Sequence, residues 1–361
     1  MPTHEPPRTI AVLGATGNQG GGVVQALLNI DSSFYIRAIT RDVTSASAAQ
    51  LKAKYPKNDR LELVEANVYN RESLLKAFHN SYGVFAVTNN RLPGRKIETE
   101  KDMDHELEAG RNILEAAKAC KIQHFVLSSL PNLTDASNGR FIKVYHFDNK
   151  SKIEEWARRE LPAVTSLHPG LFYTNMQWSQ YCRRDGKSRK SLEQPDTIKS
   201  NSNPENKTVR FCAPIEGNKL ADWVDPDYDI GVYAASKTNQ RHHSYLEIFA
   251  LGPTKTASKR YPVVGPKLKF EEFAKTFTQM TGQEAVFDPD TLDQWGATVA
   301  STVGRGYEED IRQMMQWISV APDDRVCYGT MDSRDDMSWE DLGVRASTFA
   351  EWMERASWAG P

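Results

Sequence analysis

No stretch of this 361-residue chain approaches the roughly 18 consecutive apolar residues of a membrane helix, and residues 1–8 lack an apolar signal region. A soluble, intracellular protein, cytoplasmic or also nuclear, is expected. No charge of one sign dominates: 45 Lys and Arg stand against 47 Asp and Glu, a net charge of -2. That balance gives no electrostatic footprint for direct nucleic-acid or membrane-surface binding. Cysteine is scarce, and Cys120, Cys182, Cys212 and Cys327 are too far apart for a C-x-x-C pair, so they read as reduced packing thiols. The histidines show no metal-ligand spacing, and no metal is predicted. What remains is a core-forming composition long enough for one large domain or two modest ones.

The informative stretch starts at residue 10. Ile-Ala-Val-Leu-Gly-Ala-Thr-Gly-Asn-Gln-Gly-Gly-Gly-Val-Val is an apolar strand-like run that breaks into glycine and resumes as an apolar helix. Gly14 permits a tight turn, Gly17 lets backbone approach a pyrophosphate, and Gly20 lets the helix pack closely on a sheet. The helix then aims its first N–H groups and positive dipole end at phosphates. The spacing is G-x-x-G-x-x-G, and its strand-turn-helix context makes it a dinucleotide cradle.

The first half alternates strand-like runs with helical patterns, as parallel β-α-β units do. Strands are expected at 34–40, 61–66, 83–88, 124–128 and 163–167, with helices near 45–55, 71–78, 102–120 and 149–159. Right-handed crossovers then give an α/β fold with a doubly wound parallel sheet covered on both faces. Beyond Pro169 the regularity fails. Residues 183–210 are polar and read as a long exposed insertion, whose basic end at 183–190 is either solvated or a contact for an acidic partner. A helix from about Pro226, a strand at 244–251, helices at 270–280 and 310–318, and an aromatic tail with Phe349, Trp352 and Trp358 follow. The expected division is a dinucleotide-binding domain over 1–170, rejoined by 220–251, and a smaller, mainly helical cap over the substrate from 171–219 and 252–361.

The residue after the second strand sits beside the adenosine ribose and chooses between the nicotinamide cofactors. Arg41 there suits a 2′-phosphate, which favours NADP(H) over NAD(H), whereas the neighbouring Asp42 would hold a bare 2′-hydroxyl. Gly-Ala-Thr-Gly-Asn-Gln-Gly at 14–20, Thr-Arg-Asp at 40–42, Val-Thr-Asn at 87–89, Leu-Ser-Ser at 127–129 and His-Phe-Asp-Asn-Lys at 146–150 together resemble the NmrA-like family, atypical members of the short-chain dehydrogenase/reductase superfamily. Asp-Ile-Gly at 229–231 and the tail at 347–352 extend the resemblance over most of the chain. It implies a Rossmann-like domain with a small C-terminal domain over the cleft. Gly14, Thr16, Gly17, Asn18, Gln19 and Gly20 would then line the phosphates and Arg41 would meet the 2′-phosphate. Asn67 would lie beside adenine, where related proteins carry an aspartate. Thr88 and Asn89 would flank the middle of the cofactor, and Lys150 would reach the nicotinamide ribose.

Reductases of that superfamily use Tyr-x-x-x-Lys on one helix face, the tyrosine giving a proton to the carbonyl that receives hydride. Here the tyrosine slot holds His146, which either donates the proton or only fills the cleft wall. Ser129 and Ser128 end the strand beside the nicotinamide, Tyr145 and Tyr173 are alternative donors, and His168 and Tyr173 are expected to face substrate. The leading expectation is an NADP(H)-dependent oxidoreductase acting on a carbonyl or enone of a small organic molecule. The alternative is a catalytically silent redox-sensing regulator that works through a protein partner or as a homodimer. A non-redox isomerase or cyclase on the same scaffold is also open.

Overall fold

Ile10, Ala11 and Val12 are fully buried, because a central parallel strand is covered on both sides and therefore reads as an unbroken apolar run. In the computed structural model, which describes residues 8–29, 34–185, 208–235 and 248–361, they lie in β1 (Arg8–Val12). The other strands of the main sheet are β2 (Phe34–Thr40), β3 (Leu61–Glu65), β4 (Gly83–Val87), β5 (His124–Ser128), β6 (Val164–Pro169) and β7 (Arg260–Val263). Their order is β3-β2-β1-β4-β5-β6-β7, and every pairing is parallel. The chain starts in the middle and winds outward both ways, so the strand order reverses between β1 and β4. This is the Rossmann-like arrangement that the glycine loop and the alternation predicted.

Helices cover both faces. On one, Val23, Val24 and Leu27 of α1 (Asn18–Asn29) share a core with Ile230 and Tyr233. On the other, α3 (Arg71–Phe78), α4 (His105–Ala119) and α5 (Tyr145–Glu160) bury Leu74, Leu114 and Ile153 against the sheet. Between β2 and β3 lies α2 (Ala46–Lys54), whose N-cap Ser45 accepts the Ala48 N–H. The helix expected from Pro226 is α6 (Asp229–Ala235). It meets α1 backbone to backbone: a Cβ on Gly231 would stand 2.2 Å from the Gly22 carbonyl oxygen.

A third core joins α7 (Glu272–Thr281), α8 (Leu292–Thr302), α9 (Glu308–Val320) and α10 (Phe349–Ala356). It is aromatic at its centre, with Phe273 4.7 Å from both Trp223 and Phe349, centroid to centroid. Burying such rings is worth about 3–5 kcal/mol each when one is cut to alanine.

Two sequence expectations need correction. The described part of the expected strand at 244–251, Ile248–Leu251, is a helical turn ended by Gly252 at φ +74°; residues 244–247 lie outside the described residues. A short apolar run fits a buried helix turn as well as a strand, and periodicity cannot separate them. The last strand of the sheet is instead β7, from a stretch assigned to the cap. The ends of the polar insertion are also ordered. Cys182–Asp185 pairs antiparallel with Thr208–Phe211, where Val209 and Phe211 alternate inward, and residues 186–207 lie outside the described residues.

Candidate active site

The C-terminal ends of β1, β2, β4, β5 and β6 open into one cavity of about 940 Å³ that straddles the reversal of strand order. Open α/β sheets place ligands at this point, since the loops leaving β1 and β4 diverge to opposite faces. Gly14, Thr16, Gly17, Asn18, Gln19 and Gly20 all line it. Gly14 has φ +65°, and a Cβ on Gly20 would stand 2.3 Å from the Gly14 carbonyl oxygen, so both glycines are required by the protein's own packing. Gly17 is different. A Cβ there would meet nothing nearer than the Gly14 oxygen at 3.4 Å, an ordinary contact. Its bareness therefore serves whatever lies against the loop. The first amides of α1 have no helical carbonyl to pair with, and the buried Gln19 Oε1 has no hydrogen-bond partner among the described residues. The loop fits a dinucleotide pyrophosphate.

Beyond the end of β2, Arg41 is exposed, lines the cavity and makes no hydrogen bond or ion pair among the described residues. Asp42 is already engaged: its Oδ1 accepts the Thr44 N–H at 2.7 Å and hydroxyl at 2.6 Å, which hold its carboxyl below the usual range. Asn67 does not line the cavity. It is exposed and organises the turn after β3, its Oδ1 accepting the Tyr69 N–H at 3.0 Å.

At the far side, helix α5 brings Lys150 and His146 to the cavity wall one turn apart. Lys150 Nζ donates to Glu106 Oε1, an oxygen that also accepts the Thr88 hydroxyl at 2.6 Å. Glu106 is fully buried, and its other oxygen has no hydrogen-bond partner among the described residues. Asn89 lines the wall, its Oδ1 accepting the Arg91 N–H. Ser129 also reaches the cavity, but its hydroxyl donates to the Lys150 carbonyl at 3.1 Å and so fixes the helix. The buried His146 ring is held through Nδ1 by Asp310 Oδ1 of α9.

The other candidate donors point elsewhere. The Tyr145 hydroxyl donates to Glu100 at 2.8 Å, and burial together with that carboxylate pushes its pKa up to about 12. Tyr173 is buried in the cap core, its hydroxyl donating to the Ser347 carbonyl. His168 lies within the fold between Glu154, 2.7 Å from Nε2, and the Cys327 sulfur, 3.3 Å from Nδ1. Neither His168 nor Tyr173 lines the cavity, so both are placed away from where a substrate would sit. The sequence sets them on either side of the Pro169-Gly170 turn, but both side chains are buried, His168 in β6 and Tyr173 in the aromatic core.

The outer part of the cavity is aromatic. Phe147, Tyr181, Trp295, Tyr307 and Tyr328 line it with Met314, and Arg91 lies over Trp178 at 4.3 Å. Trp295 is fully buried and its indole N–H has no hydrogen-bond partner among the described residues.

The NmrA-like family model matches residues 6–353. The chain belongs to the NmrA-like family. One relative is the NmrA-like family domain-containing oxidoreductase malD of Malbranchea aurantiaca, 29% identical over 280 residues that cover 77% of this chain and 74% of that protein. Among solved structures, NmrA, a negative transcriptional regulator in complex with NAD, superposes with a TM-score of 0.65 at 18% identity, covering 97% of this chain and 91% of that one. The Citrobacter sp. triphenylmethane reductase complexed with NADP(H) does so with a TM-score of 0.63 at 18% identity, covering 96% and 99%. These structures share the fold of this chain. Among its described residues, no helix is long and apolar enough to cross a membrane.

Two site residues escaped sequence reading. Glu106 falls on the buried stripe of α4 with Gly110, Ile113 and Ala117, and a carboxylate at a core position requires a cation. That signal was available. Asp310, in the first turn of a helix with Glu308 and Glu309 beside it, looks like an ordinary dipole-stabilising acid, and only the fold shows what it touches.

Proposed function

We propose that this protein is an NADP(H)-dependent oxidoreductase that reduces a carbonyl or enone group of a planar, largely apolar small molecule, or runs the reverse reaction. The observation that carries the reading is one continuous cavity joining a glycine-lined loop, an Arg41 with no hydrogen bond or ion pair among the described residues, Lys150 held by Glu106, and an aromatic chamber. Gly14 to Gly20 would hold the pyrophosphate, Arg41 the 2′-phosphate, and Lys150 the nicotinamide ribose. When bound, the reduced cofactor supplies hydride. The chain's own groups position the acceptor and deliver a proton. Trp295 offers a buried N–H to a substrate oxygen, and Tyr307, Tyr328 and Phe147 present ring faces and edges to a flat molecule. The names of the relative and of the reductase neighbour support redox chemistry.

Calorimetry with NADP⁺, NADPH, NAD⁺ and NADH, followed by nicotinamide absorbance with a panel of quinones and enones, tests the reading. Tighter binding of the phosphorylated forms and consumption of NADPH are expected. Binding that differs between oxidised and reduced forms with no turnover of any acceptor would instead establish the sensor.

A further inference from the structure

Asp310 meets residue 146 twice. One carboxylate oxygen accepts the His146 backbone N–H at 3.0 Å and the other faces the ring Nδ1. Tyr145 and His146 open α5, whose N-cap Val144 supplies no side-chain acceptor, so Asp310 caps this helix from another part of the chain. The same contact fixes the ring. A carboxylate can only accept, so Nδ1 must carry the hydrogen, and Nε2 is left with no hydrogen bond among the described residues, in a side chain that lines the cavity. The titratable groups around the ring are Asp310 and Tyr307 from the cap, and Lys150, paired with Glu106, on the next turn of α5. Tyr307 is occupied by Asn90, and burial raises its pKa well above the ordinary value.

We propose that Asp310 is a positioning residue that locks His146 with Nδ1–H inward and Nε2 toward the cavity, making Nε2 the proton donor for the oxygen of the group being reduced. The assignment rests on the oxidoreductase reading for the use of that proton. The charged imidazole carries hydrogen on both ring nitrogens, Nδ1 toward Asp310 and Nε2 toward the cavity. As the carbonyl carbon gains the hydride pair, the C–O π electrons move to oxygen. The Nε2–H bond breaks to give the alcohol, and the ring is left neutral until solvent returns a proton. In the reverse direction neutral Nε2 accepts the alcohol proton.

The geometry predicts what Asp310→Asn does. The backbone N–H of His146 claims the amide oxygen, so the amide NH₂ faces Nδ1, which must become an acceptor. The neutral ring flips to the Nε2–H tautomer, whose Nε2 proton can leave only by forming an imidazolate anion, a far weaker acid than imidazolium. Nitrogen-detected NMR of ¹⁵N-histidine protein, with His146 assigned by its loss in His146→Gln, reads the tautomer without any turnover. The wild type is expected as Nδ1–H and Asp310→Asn as Nε2–H, with NADPH affinity in calorimetry unchanged. With phenanthrenequinone as the probe, the wild type is expected to slow with rising pH as the ring loses its proton, and Asp310→Asn to lose about 10²-fold or more in kcat together with that pH dependence. A wild-type Nε2–H tautomer overturns the proposal. So does a tautomer flip that leaves kcat within about twofold and the pH profile unchanged, since Asp310 is then a helix cap only. Absence of NADPH consumption by the wild type, with the tautomers as expected, overturns the oxidoreductase reading and its proton transfer but not the locked ring.

Discussion

Charge at single positions decides what this cavity selects. Arg41 and Asp42 are neighbours of opposite sign, and the sequence alone leaves their competition to position. Asp42 commits Oδ1 to two bonds from Thr44, whereas the Arg41 guanidinium makes no hydrogen bond or ion pair among the described residues and is the cation open to an anionic ligand. Arg41→Ala is expected to weaken NADPH binding about 10–100-fold, the worth of charge-assisted hydrogen bonds to a phosphate, while changing NADH binding little. Equal losses for both cofactors in calorimetry would place the 2′-phosphate elsewhere. The Lys150–Glu106 pair makes a second test. Lys150→Met leaves a fully buried carboxylate without its cation and is expected to cost about 3–5 kcal/mol in chemical denaturation. The double variant with Glu106→Gln is expected to recover most of that loss, because no buried charge remains. Lys150 was legible from its motif. Its partner required attention to an acid on an apolar helix face.

Elements carry the glycines, and each glycine of the first loop has its own task. Gly17→Ala is expected to leave the unfolding transition where it is and to weaken NADPH binding at least about tenfold, since its Cβ meets no packed atom but stands where a ligand would approach. Gly20→Ala must push α1 away from the end of β1, and is expected to lose about 1–3 kcal/mol of stability as well as cofactor binding. Thermal melts with and without NADPH separate the two. The strand-turn-helix and the parallel units were readable because buried strands are uniformly apolar and helices carry stripes. The segment at 248–251 was misread because four apolar-rich residues hold too little periodicity to choose, and β7 was missed because Arg260 and Pro262 dilute its pattern. The separation of Gly22 from Gly231 hid the α1–α6 contact, which chain order cannot reveal.

Across the whole molecule, the His168–Glu154 pair ties α5 to β6 beneath the cavity. Burial opposes charge on both groups, but their partners outweigh it: Glu154 and Cys327 raise His168 from an ordinary 6.5 to about 10, and His168, Arg260 and Arg158 hold Glu154 well below 4.5. A raised histidine stabilises fully below its unfolded value and loses that contribution as pH climbs toward 10. A depressed carboxylate stabilises fully above its unfolded value and loses it as pH falls. Both contributions are complete between about pH 4.5 and 6.5. Melting temperature is expected to decline from pH 6 toward pH 9, and His168→Phe to flatten that decline. An unchanged slope in the variant would show that His168 is not protonated in the folded state.

The cap that Asp310 supplies to α5 joins positions 164 residues apart, whereas the glycine loop is closed by neighbours in β1 and α1. A ribosome finishes the glycine loop early and the anchor of His146 only after most of the chain has emerged. Any product of synthesis that stops in between carries Gly14 to Gly20 but lacks the carboxylate that steadies the His146 ring and the start of α5.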